Sequence, residues 1–147
     1  MISTFGRQPA IALVDDDPHS ARLMMRMLAA HAGPPVEHME DPAAALEALS
    51  AFAGLPAKEG QFTMVVVDLK SSSNASSDFI VALKAAAPKL VIVAMAASLN
   101  RDVRNALLDA GAAAVFERHG ELNAYRREAA NIVGFWVRSQ RLDAVGT

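Results

Sequence analysis

The chain has 147 residues, 52% of them hydrophobic and 20% charged, with a net charge of -2 and no cysteine. That is enough for one domain with a packed core, and it excludes disulfides, thiol catalysis and zinc-thiolate sites. No basic tract points to nucleic acid, and no apolar run approaches the ~20 residues of a membrane-spanning helix, so no membrane partner and a cytoplasmic location are the expectations.

Residues 1–8 read as a flexible leader, 9–142 as one domain and 143–147 as a tail. The first strand is expected at 10–14, where Ile11-Ala12-Leu13-Val14 runs into Asp15, Asp16 and Asp17. Asp17-Pro18 is a helix opening, because Asp caps free N–H groups and Pro suits the first turn. Leu23, Met24, Met27 and Leu28 then recur at helical spacing until Gly33-Pro34-Pro35. Val36-Glu37-His38-Met39 is a shorter, more polar strand that suits a sheet edge. Asp41-Pro42 repeats the cap signature before a helix from Ala43 to about Phe52, and 54–61 is a loop. The third strand is expected at 62–68, where Met64-Val65-Val66-Val67 runs into Asp68. Lys70 to Ser77 is a serine-rich stretch expected to form a mobile polar loop. Asp78 is expected to cap a helix to Ala87, strand four to span 90–95, and Asn100 to cap a helix over 101–110 closed by Gly111. Strand five falls at 113–116, and a last helix at about 121–142.

Five alternations of strand and helix predict βα units around a parallel sheet with helices on both faces. The fold class is α/β: a flavodoxin-like (βα)5 three-layer sandwich with five parallel strands in the order 2-1-3-4-5. That order puts a crevice between strands one and three at their carboxyl ends. Asp15, Asp16 and Asp68 close those two strands. Carboxylates crowded together raise one another's pKa unless a cation neutralises them, so the pocket is expected to want a hard divalent ion, Mg²⁺ first.

On these residues the chain resembles a response-regulator receiver domain of two-component signalling. The resemblance covers roughly 9–140 and rests on Val14-Asp15-Asp16-Asp17-Pro18, Val66-Val67-Asp68-Leu69, Asp109-Ala110-Gly111-Ala112 and the five-fold alternation. It implies that Asp68 is the phosphoacceptor, that Asp15 and Asp16 are the acidic metal-pocket residues, and that the Lys70 backbone carbonyl joins Asp15, Asp16 and Asp68 around Mg²⁺. It implies a histidine kinase or phosphotransfer protein upstream, a downstream protein target, and no enzymatic turnover. A carboxylate is a competent nucleophile for phosphoryl transfer, which depends mainly on positioning and charge neutralisation. Several positions depart from the family pattern. The hydroxyl residue at the end of strand four is replaced by Met95 or Ala96, with Ser98 the nearest hydroxyl. The strand-five Lys becomes Arg118, a planar fork rather than a compact ammonium, followed by His119. The aromatic switch position falls on Val115, with Phe116 on the other face.

The alternatives are a degenerate pseudo-receiver that binds partners independently of phosphorylation, and a small phosphohydrolase suggested by Asp15-x-Asp17. The latter lacks its late acidic pair, because Arg118 stands where acids are expected. Asp17 reads as a helix cap, Arg118 could be a surface charge, and His19, His31, His38 and His119 share no ligand spacing. Leu122, Tyr125, Ala129, Ile132 and Trp136 form the last helix's core stripe, while Val133, Phe135 and Val137 add apolar surface beyond it. That surplus suggests a homodimer or partner contact.

Overall fold

A computed structural model describes residues 10–51 and 62–144. The strands are β1 (Ile11–Val14), β2 (Val36–Met39), β3 (Met64–Val67), β4 (Val91–Ala96) and β5 (Ala114–Glu117). They alternate with α1 (Pro18–Ala30), α2 (Pro42–Ala51), α3 (Ala75–Ala86), α4 (Arg101–Ala110) and α5 (Leu122–Ala144). All pairings are parallel and the sheet order is β2-β1-β3-β4-β5, as the sequence predicts. The leader at 1–8, the loop at 54–61 and the end of the tail lie outside the described residues.

Burial explains the order. β1 and β3 are fully buried and apolar throughout, as central parallel strands must be. β2 alternates Glu37 outward with half-buried neighbours, which suits the edge. Successive side chains point to opposite faces. Ala12, Val14, Val65 and Val67 pack under α2, α3 and α4, with Leu49, Ile80, Leu83 and Leu107. Ile11, Leu13, Met64 and Val66 face α1 and α5, with Met24, Leu28, Ala129 and Ile132. Two apolar layers therefore clamp the sheet and fix the carboxyl edge on which the strands end.

The expected caps form at α1 and α4. The Asp17 carboxylate accepts from His19 N at 3.0 Å, and Asn100 Oδ1 accepts from Val103 N at 2.9 Å. Two local expectations are corrected. First, α3 starts at Ala75, so Asp78 lies in its first turn instead of capping it. Ser76 is buried, and its Oγ accepts from Leu69 N at 3.0 Å; this hydroxyl serves as a backbone partner and shortens the serine loop. Second, the end of α1 takes its left-handed residue at Ala32, φ 62°, where a glycine is favoured. Gly33 is needed for a different reason: a Cβ there would sit 2.8 Å from the Leu28 carbonyl oxygen. Gly111 fits its position after α4, at φ 131°.

On α5, Tyr125, Ala129, Ile132 and Val133 are buried, and Phe135 and Trp136 pack against the same layer. Trp136 Nε1 donates to Thr63 Oγ1 at 2.9 Å, and the Phe135 ring meets Phe116 edge-on at 6.4 Å. Val133 thus joins the core stripe. Leu122, expected on the sheet, is 51% exposed because it is the first residue of the helix. Much of the apolar surplus on this helix is absorbed by the chain's own core, and among its described large apolar side chains Leu122 and Val137 remain exposed.

Candidate functional site

The β1–β3 register sets Val14 against Val67, which brings Asp15 and Asp68 side by side at the carboxyl edge. Asp68 N donates to Val14 O at 2.9 Å and Asp15 N to Met39 O at 3.2 Å, so the ladder carries through both acids. His38 Nε2 donates to the Asp15 carbonyl at 2.8 Å and ties the edge strand to this corner. Sequence spacing gave no sign of that role, because strand order sets β2 beside β1 but does not say that the His38 side chain reaches the Asp15 carbonyl.

Asp15 is 0% exposed and Asp68 1%. Two buried carboxylates at neighbouring strand ends need positive charge, and two side chains bring it. Lys70 Nζ lies 2.6 Å from Asp15 Oδ1 and 3.2 Å from Asp68 Oδ2, and it donates to the Asp68 carbonyl at 3.0 Å. Arg118 Nε donates to Asp68 Oδ1 at 2.9 Å, while its backbone N–H holds Ala96 O at 2.7 Å. Arg118 is therefore part of the pocket and not a free surface charge.

Asp16 makes no ion pair in this group. Its carboxylate accepts from Lys70 N at 3.0 and 3.2 Å and from Ser71 N at 3.1 Å, pinning the backbone after β3. Asp17 stays at the helix cap, where the His19 N–H holds its carboxyl below its usual range.

Three carboxylates were expected around a divalent ion, and the residues as placed do not fit one. The Lys70 ammonium stands between Asp15 and Asp68, and Asp16 is spent on amides. Among the described residues no cluster of three or more acidic, His or Cys side chains could hold a metal. Asp15 Oδ2 is a buried acceptor with no hydrogen-bond partner, but one free oxygen is not a coordination shell.

The positions that read phosphorylation in receivers are equally changed. One step past the Val67–Ala94 pair, Asp68 stands opposite Met95. Met95 is 2% exposed and packs in the α1/α5 layer, so the hydroxyl's place is filled by a thioether that donates nothing. Val115 packs in the opposite layer from Phe116, as strand alternation requires. Beside Asp68 opens a cleft of about 710 Å³ between the segment after β3, the end of β4, and α4; Lys70, Met95, Ala96 and Arg118 contribute to its wall.

Tyr125 lies beneath the pocket, 4% exposed, with its hydroxyl buried beside Ser20. Burial and then the charge on Asp68 push its pKa up to about 12, with Asp15 adding and Ser20 and Arg118 opposing.

No family model matches the sequence, and no curated protein does. Solved structures match over most of the chain. A phosphorylated cyanobacterial phytochrome response regulator, RcpA, superposes with TM-score 0.70 at 19% identity, covering 90% of this chain and 96% of its own. The Mn²⁺-bound response regulator Rcp1 gives 0.68 at 19% identity, covering 86% and 92%. A response-regulator receiver domain from Rhodospirillum rubrum gives 0.72 at 17% identity, covering 86% and 92%. The chain has the receiver-domain fold.

Proposed function

We propose that this chain works as a receiver-type signalling module, with Asp68 as the phosphoacceptor and output through protein contact. The observation that supports the reading is a carboxylate at the crevice edge with a cation on each oxygen, opening beside a cleft. A phosphoryl donor needs a nucleophile and compensation for its charge. An Asp68 oxygen would attack phosphorus while the bond from phosphorus to the donor imidazole or acyl oxygen breaks. The leaving group takes the bonding pair, and Lys70 and Arg118 face the charge that arrives. The donor is a histidine kinase or phosphotransfer protein, and the recipient of the signal is a downstream protein. Mg²⁺ in this pocket would first have to displace the Lys70 ammonium. Among the described residues no helix is long and apolar enough to cross a membrane, and the reading carries a cytoplasmic location. A second copy meeting α5 at Val137 is the oligomer it allows, and sedimentation would show it.

A pseudo-receiver that binds partners without phosphorylation is favoured by one observation: Asp68 is 1% exposed with both oxygens held. One experiment separates the two. The protein is incubated with acetyl phosphate, with and without Mg²⁺, and weighed intact. A gain of one phosphoryl group that disappears in Asp68→Asn supports the phosphoacceptor; an unchanged mass in every condition leaves the pseudo-receiver.

A further inference from the structure

The structure assigns Lys70 Nζ the place of a resident cation, so that this pocket is closed to divalent ions while Lys70 is present. The inference deepens the receiver reading of the same site.

Three observations carry it. The ammonium makes its contacts inside the acid pair: Asp15 Oδ1 at 2.6 Å, Asp68 Oδ2 at 3.2 Å and Asp68 O at 3.0 Å. Its position is fixed from below, because the Asp16 carboxylate holds the Lys70 backbone N–H and that of Ser71. Asp16 thereby gives up its own availability as a ligand in order to seat the lysine. Within the ion-paired group the charges also close: Asp15 and Asp68 carry two negative charges, and Lys70 and Arg118 two positive ones, while the Asp16 carboxylate is taken up by the Lys70 and Ser71 amides. A divalent ion added to this set would leave an excess of positive charge in a buried corner, which the low local dielectric penalises. Lys70 is a positioning residue here. A lysine suits the role because its ammonium is a compact point charge on a flexible stem.

The test uses Mn²⁺ as the probe and reads binding, not phosphorylation. Wild type, Lys70→Met and Lys70→Gln are titrated with Mn²⁺ by following the resonance of the free ion. Their melting temperatures are recorded in chelator and in excess Mn²⁺. The expected result is weak uptake by wild type with no change in its melting temperature. Both variants should bind at least about tenfold more tightly, as removal of one facing charge implies, and their melting temperature should rise with the ion. Asp68→Asn added to Lys70→Met should abolish that gain. A variant that folds only with Mn²⁺ present would also support the assignment. Equal Mn²⁺ affinity in wild type and both variants overturns it, and so does a clear rise in the wild-type melting temperature. The absence of uptake in all three overturns it too, since a vacated pair that takes no ion was never a cation site. None of these readings depends on whether Asp68 accepts a phosphoryl group, so the two proposals fail separately.

Discussion

Tyr125 is the only tyrosine in the chain, which makes it a clean reporter of the pocket from below. Its pKa is raised from 10.0 to about 12, first by burial and next by the Asp68 charge. In the unfolded chain the phenol ionises near 10. Below that pH both states keep the proton and the contribution to stability is complete. Between pH 10 and 12 the unfolded chain ionises first and the native state loses ground, by up to roughly 2.7 kcal/mol once the folded pKa is passed. Tyrosinate absorbance should therefore inflect near 12 in native protein and near 10 in urea. Asp68→Asn removes the second cause but not the first, so its native inflection should fall between those two values. The urea midpoint of wild type should drop from pH 9.5 to 11.5 by more than that of Tyr125→Phe, ~2 pH units covering the window. A native inflection near 10 would show that the hydroxyl is reached by water and that Tyr125 does not sense Asp68. An Asp68→Asn curve that overlays wild type would break the electrostatic link and leave burial alone.

Two further outcomes concern packing. Ala32→Gly relieves roughly 1–2 kcal/mol of left-handed strain and returns about half of it as unfolded-chain entropy, so thermal unfolding should show a rise of about 2 °C. Trp136→Phe removes the hydrogen bond to Thr63 Oγ1 and should cost about 1–2 kcal/mol in urea unfolding. Thr63→Ala made in that background should then cost less than it does in wild type.

The convergence of Asp15 and Asp68 was legible in the sequence because it needs only two facts: where two apolar runs end, and the strand order. Both are set by backbone periodicity and by the rule that parallel sheets are covered on both faces. The resemblance left Met95 or Ala96, together with Val115, at the positions where family side chains would read phosphorylation, and the β3–β4 register sets Met95 opposite Asp68. The Lys70 ammonium was not legible. The resemblance implies only a backbone contact for Lys70, two residues past Asp68, whereas its side-chain partner Asp15 is 55 residues away and is reached through a flexible side chain. Asp16 misled for a related reason. Adjacent residues at a strand end point in different directions, so two neighbouring acids cannot be assigned one ligand set by counting. Ser76 misled through composition: a serine-rich stretch reads as solvated, yet this hydroxyl is buried and satisfies Leu69 N. Ala32 gave no signal at all, because glycine's usual position was occupied one residue later by Gly33.

The charge count bears on how such a pocket could respond. A phosphoryl group on Asp68 replaces one negative charge with nearly two, so two cations no longer balance the corner. In a pocket with a hydroxyl at the Met95 position and an aromatic at Val115, the imbalance would be answered across β4 and β5. Here Met95 is buried in the α1/α5 layer and offers no donor. If Asp68 is phosphorylated as proposed, the answer would fall to the Lys70 side chain, which is bonded to Asp15 and Asp68 together while its backbone is anchored to Asp16. Drawing the ammonium toward a phosphoryl oxygen would lengthen its 2.6 Å contact to Asp15 and pull on Leu69, which is tied through Ser76 to the start of α3. On that proposal the side of the crevice that would move is the segment between β3 and α3. A partner reading this protein would be expected to touch that segment and the cleft beside it, and not the β4–β5 face.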